Sequence, residues 1–173
     1  TCALPIYMVD TLKDDDKNVL VAIYQVGTAF TELHRMNVVD GRRVTVAKAP
    51  VRNAGFVTDN KGVARFAIGA GSDNLSKTYY RAGEKSDWEL INDEDVSDKA
   101  IYAMGFSADN KIAYLQSQEA SGPDAIYAFD TATKKQTLLM RDDNVDPSGL
   151  EYSPIDEGPY AVGFNDGYPR YEY

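Results

Sequence analysis

One short pattern recurs along this chain and constrains the fold more than any other feature. Phe106-Ser-Ala-Asp-Asn-Lys-Ile-Ala-Tyr-Leu-Gln-Ser-Gln118 reads as strand, tight turn, strand. Phe106 closes one apolar run, Asp109-Asn-Lys111 supplies turn chemistry, and Ile112 to Leu115 opens the next run. Asp and Asn turn a chain because their side chains bond to nearby backbone and they tolerate left-handed geometry. Equivalent first turns fall at Lys17, Lys61, Lys111 and Gly158, separated by 44, 50 and 47 residues. Within a unit, the first and last turns (Lys17 to Gly41, Lys61 to Gly83, Lys111 to Lys134) lie 24, 22 and 23 residues apart.

The segments between these turns are short and strand-like. Val19-Leu-Val-Ala-Ile-Tyr24 is a continuous apolar run, expected of a strand buried on both faces. Gly27 to Phe30 reads as a loop, Leu33 to Val39 as a strand, Asp40-Gly41 as a hairpin turn, Arg42 to Ala47 as the returning strand, and Pro50 as the end of the unit. The second unit reads Ala54 to Val57, turn Asp59 to Gly62, Val63 to Ile68, loop Gly69 to Asn74, Lys77 to Arg81, turn Gly83 to Asp87, and Trp88 to Ile91. An acidic connector, Asn92 to Lys99, precedes the third unit. That unit has strands at Ile101 to Phe106, Ile112 to Gln116, Ala125 to Phe129 and Gln136 to Met140. A fourth starts at Leu150 to Ser153, turns through Asp156-Glu-Gly158, continues at Tyr160 to Phe164 and turns again at Asn165-Asp-Gly167.

Four short strands per repeat at a period of roughly 40–50 residues is the pattern of a β-propeller blade, in which each sheet stacks on its neighbours to bury both faces. A β-sandwich also uses many short strands but does not predict phase-locked turns. The expected fold class is therefore all-β: a partial β-propeller of about three and a half four-stranded blades, approximately 9–50, 51–97, 98–146 and an incomplete 147–173. The partial propeller domain is expected over 7–173. Residues 1–6, Thr-Cys-Ala-Leu-Pro-Ile, match what the end of a common sequencing adapter encodes, and are expected to be read-through outside the fold. The one cysteine, Cys2, lies in that segment, so cysteine usage gives no redox compartment.

Composition narrows the function classes. The net charge of −9 argues against binding a phosphate backbone, so no nucleic-acid partner is expected. No apolar run approaches the roughly 18 residues of a membrane-spanning helix, and no membrane association is expected. The 12 tyrosines suit half-buried sheet faces.

No catalytic, cofactor-binding or metal-binding residue is assigned, and no cofactor is expected. A nucleophile elbow needs Gly-x-Ser-x-Gly, and Ser121-Gly122 and Ser148-Gly149 lack the preceding glycine. His34, the sole histidine, precedes nearly every serine, against the Ser, acid, His order of α/β-hydrolases, and is expected to be structural or at the surface. Asp142-Asp-Asn-Val-Asp146-Pro-Ser148 alternates oxygen side chains as a calcium loop does, but Pro147 stands where glycine is required and no twelfth-position Glu follows. It is read as an acidic loop, Asp14-Asp-Asp16 and Asp93-Glu-Asp95 as solvated connectors, and Arg42-Arg43 as solvent-facing charge. Trp88 is expected to pack between blades.

Phe106-Ser-Ala-Asp-Asn-Lys-Ile-Ala-Tyr114 resembles the Phe-Ser-Pro-Asp-Gly-Lys blade motif of TolB-type and peptidase propellers, with Ala108 for Pro, Asn110 for Gly and one residue fewer before Ile112. Val9 to Val21, Asn37 to Arg43, Ala49 to Phe66, Tyr79-Tyr80 and Trp88, in that order, resemble the N-terminal propeller of bacterial S9-family serine peptidases, the prolyl oligopeptidase and acylaminoacyl-peptidase group. The resemblance covers roughly 8–173. It implies a non-catalytic propeller that gates the access of peptide substrate to a C-terminal α/β-hydrolase domain of the same chain, where the family's catalytic Ser, Asp and His lie. It also implies a soluble bacterial protein of cytoplasm or periplasm, engaged in proteolysis. The alternative function is a TolB- or WD-like interaction propeller with no attached enzyme; an enzymatic propeller with a metal centre is a third reading.

Three and a half blades leave sheet edges open, and open edges recruit other strands. The 173-residue chain expressed alone is expected to be poorly soluble or oligomeric; a monodisperse monomer with a sharp cooperative melt in size-exclusion chromatography and calorimetry would overturn this.

Overall fold

The structure, a computed structural model, describes residues 5–24, 27–155 and 158–173. Residues 1–4, including Cys2, and the Asp156-Glu157 part of the fourth turn lie outside the described residues. The chain divides into two compact units, Thr1–Asn92 and Asp93–Tyr173.

Unit 1 contains two antiparallel meanders. In the first, β1 (Ile6–Asp10), β2 (Asn18–Tyr24), β3 (Phe30–Asn37) and β4 (Arg43–Arg52) lie side by side in chain order. The second holds β5 (Gly55–Thr58), β6 (Ala64–Ala70), β7 (Ser76–Tyr80) and β8 (Glu89–Asp93) in the same order. Unit 2 repeats the plan with β9 (Ile101–Phe106), β10 (Ile112–Ser117), β11 (Ala125–Asp130) and β12 (Gln136–Arg141), followed by a three-stranded sheet of β13 (Pro147–Tyr152), β14 (Pro159–Asn165) and β15 (Pro169–Glu172). Three four-stranded sheets and one of three strands are the blades the repeat called for.

The turn chemistry accounts for the repeat. In the third sheet the Ser107 N–H donates to Ile112 O at 2.8 Å, and Asn110 N–H to Ser107 O at 2.8 Å. Asp109 Oδ1 accepts from the Lys111 N–H at 3.1 Å, and Asn110 takes a left-handed φ of 60°. In the second sheet, Asp59 N–H donates to Val63 O at 2.9 Å, Asp59 Oδ1 accepts the Lys61 N–H at 3.0 Å, and Gly62 holds the left-handed position. Asn does at 110 what Gly does at 62, because its short polar side chain lowers the cost of positive φ.

Several boundaries differ from the sequence reading. The strand expected at Leu33 begins at Phe30, and β1 pairs Ile6 with Ile23, so the first sheet starts within the segment read as adapter. Pro50 does not end its unit: β4 runs on to Arg52. Proline is tolerated there because β4 is an outer strand and the ladder shifts register opposite Phe30 to Glu32. Gly69-Ala70 continues β6. The acidic connector holds one helical turn, α1 (Glu94–Ser97), with Asp93 capping the Asp95 N–H and Asp98 closing it in left-handed geometry. In the fourth sheet the first strand starts at Pro147, within the loop read as acidic.

The cores lie where sheets stack within each unit. On β2 both faces are buried: Leu20 and Ala22 join the cluster with Leu33, Ala47, Phe56 and Ala67, while Val19, Val21 and Ile23 form a second cluster with Met36. The first cluster is rich in alanine, which lets two backbones approach. At Gly69 an added Cβ would overlap Arg52 O. In unit 2, Ile126, Val162 and Phe164 pack with Met104, Met140 and Leu150. Gly105 on β9 sits under Tyr152 of β13, where a Cβ would overlap Tyr152 Oη. Burial holds the Tyr152 hydroxyl proton more tightly than usual, helped by its neighbour Tyr114.

Gly105→Ala is expected to destabilise unit 2 by about 1–3 kcal/mol through overpacking. Because the clash is with the hydroxyl, Tyr152→Phe in the same chain should restore part of the loss, measured by urea unfolding of both single variants and the double. Strict additivity would show that the two residues do not meet.

Candidate functional site

Two polar constellations stand out, one in each unit. In unit 1, Arg65 enters β6 inside an apolar run, and its guanidinium is buried. Its Nη1 donates to Asp59 Oδ2 at 3.0 Å, Nη2 to Tyr80 Oη at 2.5 Å and Nε to Arg81 O at 2.9 Å. Arg81 is also buried: Nε donates to Ala64 O at 2.7 Å, Nη1 to Glu84 O at 3.1 Å, and its Cζ lies 4.6 Å from the Trp88 ring centroid. Desolvation lowers the Arg81 pKa, with the nearby Arg65 charge adding to it and Glu84 opposing. Trp88 packs 6.2 Å from Phe56 and donates its indole N–H to Lys48 O of β4 at 3.1 Å, so it does sit between two blades. Both guanidiniums have oxygen partners, and Arg81 also lies against the Trp88 ring; buried charge arranged this way fixes strands in register. It is a structural bolt.

In unit 2 the loops gather at one end of the strands. The β10–β11 loop, the β12–β13 connection and the end of β14 line a groove of about 570 Å³ whose walls include Pro123, Asn144, Val145, Asp146, Ser148 and Asn165. The walls are braced. Arg141 donates Nε to Pro123 O at 2.8 Å and Nη2 to Ser121 O. Gln116 Nε2 donates to Asp124 Oδ2 at 2.8 Å, and the Asp124 N–H donates to Asp146 Oδ1 at 2.8 Å. Beside them the Lys99 ammonium donates to Glu119 Oε2 at 2.6 Å and the Tyr127 hydroxyl to Glu119 Oε1 at 3.1 Å. Lys99, chiefly, holds the Glu119 carboxyl below its usual range, with Tyr127 adding to it against the opposing effect of burial. Burial, then Glu119, raises the Tyr127 phenol.

The residues weighed in the sequence fall as follows. His34 is buried on β3, with Nε2 3.2 Å from Glu32 Oε2 and Nδ1 3.4 Å from Thr45 Oγ1. Asp142 Oδ1 accepts the Asn144 and Val145 N–H groups, and Oδ2 pairs with Arg170; these hold its carboxyl below the usual range. Its oxygens thus serve a turn and an ion pair. Among the described residues, no group of three or more His, Cys, Asp or Glu side chains is placed to share a metal ion. Asp15 pairs with Arg35 and binds the Asn18 side chain. Arg42 pairs with its neighbour Asp40 at 3.0 Å. The sequence reading took Asp142 to Ser148 as an acidic loop without placing it against the β10–β11 loop, and it passed over Arg65, Arg81 and Glu119, whose only sequence signal is a charge within or beside an apolar run.

No family model matches the chain. It is similar to dipeptidyl aminopeptidase BIII of Pseudoxanthomonas mexicana, 23% identical over 145 residues, which are 83% of this chain and 21% of that protein. The chain therefore spans about a fifth of the length of this relative. Among solved structures it is similar to TolB from Acinetobacter baumannii, with a TM-score of 0.57 and 13% identity, covering 97% of this chain and 43% of that one. At that identity the likeness speaks for the fold, and with the four meanders it makes the chain a partial β-propeller. No helix among the described residues is long and apolar enough to cross a membrane.

Because the Glu119 pKa is depressed in the fold, its pairing with Lys99 stabilises the protein above the unfolded glutamate pKa of about 4.3 and is lost as pH falls through the folded value. At pH 7, Glu119→Gln is expected to be less stable than the parent by about 1 kcal/mol, in the range of a partly exposed charge-assisted pair. The difference should shrink on acidification below about pH 4.3. Urea midpoints at pH 7 and pH 3 measure it, and an unchanged gap would count against the pairing.

Proposed function

We propose that this chain is the N-terminal propeller portion of an S9-type serine peptidase, non-catalytic in itself, which gates the access of peptides to a C-terminal α/β-hydrolase domain. The observation that carries the reading is the similarity to a dipeptidyl aminopeptidase over 83% of this chain. A match confined to one blade motif would reflect turn chemistry common to propellers; a match over 145 residues is longer than any one blade. The absence of Gly-x-Ser-x-Gly in the chain is consistent with chemistry located in another domain. On this reading the whole protein removes short units from peptide N-termini, the propeller excluding folded proteins by the width of its passage.

The DNA downstream of the Tyr173 codon tests the proposal. The expected frame continues into Gly-x-Ser-x-Gly, then an Asp and a His in that order. The expressed whole gene product should react with a fluorophosphonate and release dipeptides from a fluorogenic substrate. Further blades followed by a stop codon would overturn the reading in favour of an interaction propeller.

A further inference from the structure

The groove in unit 2 has a chemistry of its own. It is a shallow groove of about 570 Å³, largely open to solvent, which suits an extended segment lying along the surface better than an enclosed small molecule. We propose that it binds a short extended peptide segment bearing a lysine or arginine, with the cation seated against Asp146.

Charge supplies the first argument. Asp146 lines the groove, and among the described residues no cation pairs with it or with its exposed neighbour Asp143. The two arginines close in the fold are engaged elsewhere: Arg141 with the Ser121 and Pro123 carbonyls, Arg170 with Asp142 and Glu172. Arg141 keeps its own charge at the Gly122 wall but points its N–H groups at carbonyls, so Asp146 and Asp143 are left without an ion-pair partner among the described residues, which favours a cationic ligand over an anionic one.

The uncharged lining supplies the second. The carboxamide of Asn144 offers donors and an acceptor, Asn165 offers its amide donors while its Oδ1 accepts the Gly167 N–H at 3.3 Å, and Ser148 adds a hydroxyl. Val145 and Pro123 give apolar wall for the methylenes of a lysine or arginine stem. One carboxylate among amides is a poor cage for a hard divalent ion, which wants six or more oxygens, but it suits an ammonium or guanidinium.

Preorganisation supplies the third. The Arg141 bonds, the Gln116–Asp124 bond and the Asp142 turn hold the β10–β11 loop and the β12–β13 connection before any ligand arrives, which lowers the ordering cost of binding. The inference rests on unit 2 alone and stands whether or not a hydrolase domain follows.

The test uses the whole 173-residue chain and isothermal titration with Ac-Ala-Lys-Ala-Ala-amide and its norleucine analogue, which keeps the stem and deletes the charge. The lysine peptide is expected to bind about tenfold or more tightly than the analogue at low salt, and to lose that advantage as salt rises. Asp146→Asn keeps an oxygen for the Asp124 N–H and removes the charge, so it should bring the lysine peptide down to the analogue's affinity with an unchanged melting temperature. Asn165→Ala should weaken both peptides. Equal affinity of the two peptides, no binding by either, or full affinity in a folded Asp146→Asn would overturn the proposal; should that variant not fold, the comparison of the two peptides on the parent chain decides. None of these results bears on the downstream reading frame, so the two proposals fail separately.

Discussion

A four-stranded meander has two faces and too few residues to bury either by itself, and this constraint shapes the rest of the molecule. β2 shows the consequence directly. Val19, Val21 and Ile23 fill one face and Leu20 and Ala22 the other, all of them buried. A strand that is apolar at every position cannot sit in a sheet with a wet side. The stacked sheets of unit 1 meet through alanines and through Gly69, and those of unit 2 through Gly105. Small residues at these contacts let one sheet lie against the next, and tyrosine or tryptophan then crosses the seam.

Polar groups fix what apolar packing leaves loose. Hydrophobic stacking alone would permit a sheet to slide by a residue pair. The Asp59–Arg65–Tyr80 bolt removes that freedom in the second sheet, since a shift would strand a guanidinium without oxygen partners. In the third sheet Asp109 and Ser107 do the corresponding work at the turn. Part of the acidic excess is architectural: Asp15, Asp59, Asp109, Asp130 and Asp142 all accept backbone or side-chain bonds near their own positions in sequence.

Function follows from what the architecture leaves unspent. Many turn carboxylates bind their own backbone, and His34 is buried beside Glu32 and Thr45. What the loops of unit 2 leave available is a braced, acidic, amide-lined groove. The proposed peptide-binding role rests on that groove, and the similarity to a dipeptidyl aminopeptidase is a separate observation.

The spacing of Lys17, Lys61, Lys111 and Gly158 was enough to call for four meanders, because turn chemistry is local and depends on Asp, Asn and Gly at known offsets. Strand ends were less legible. Pro50 reads as a stop, yet an outer strand at a register shift needs no N–H there, and Gly69 reads as a loop, yet it is the residue that permits close approach. The charged groups were least legible of all. Arg65, Glu119 and Asp146 look like ordinary surface charge in one dimension. Only folding decides that Arg65 is sealed beside Asp59, that Lys99 meets Glu119 across 20 positions, and that Asp146 lines a groove with Asn165. Local propensity specifies turns and periods; long-range burial and charge pairing arise from which loops the closed meanders bring together.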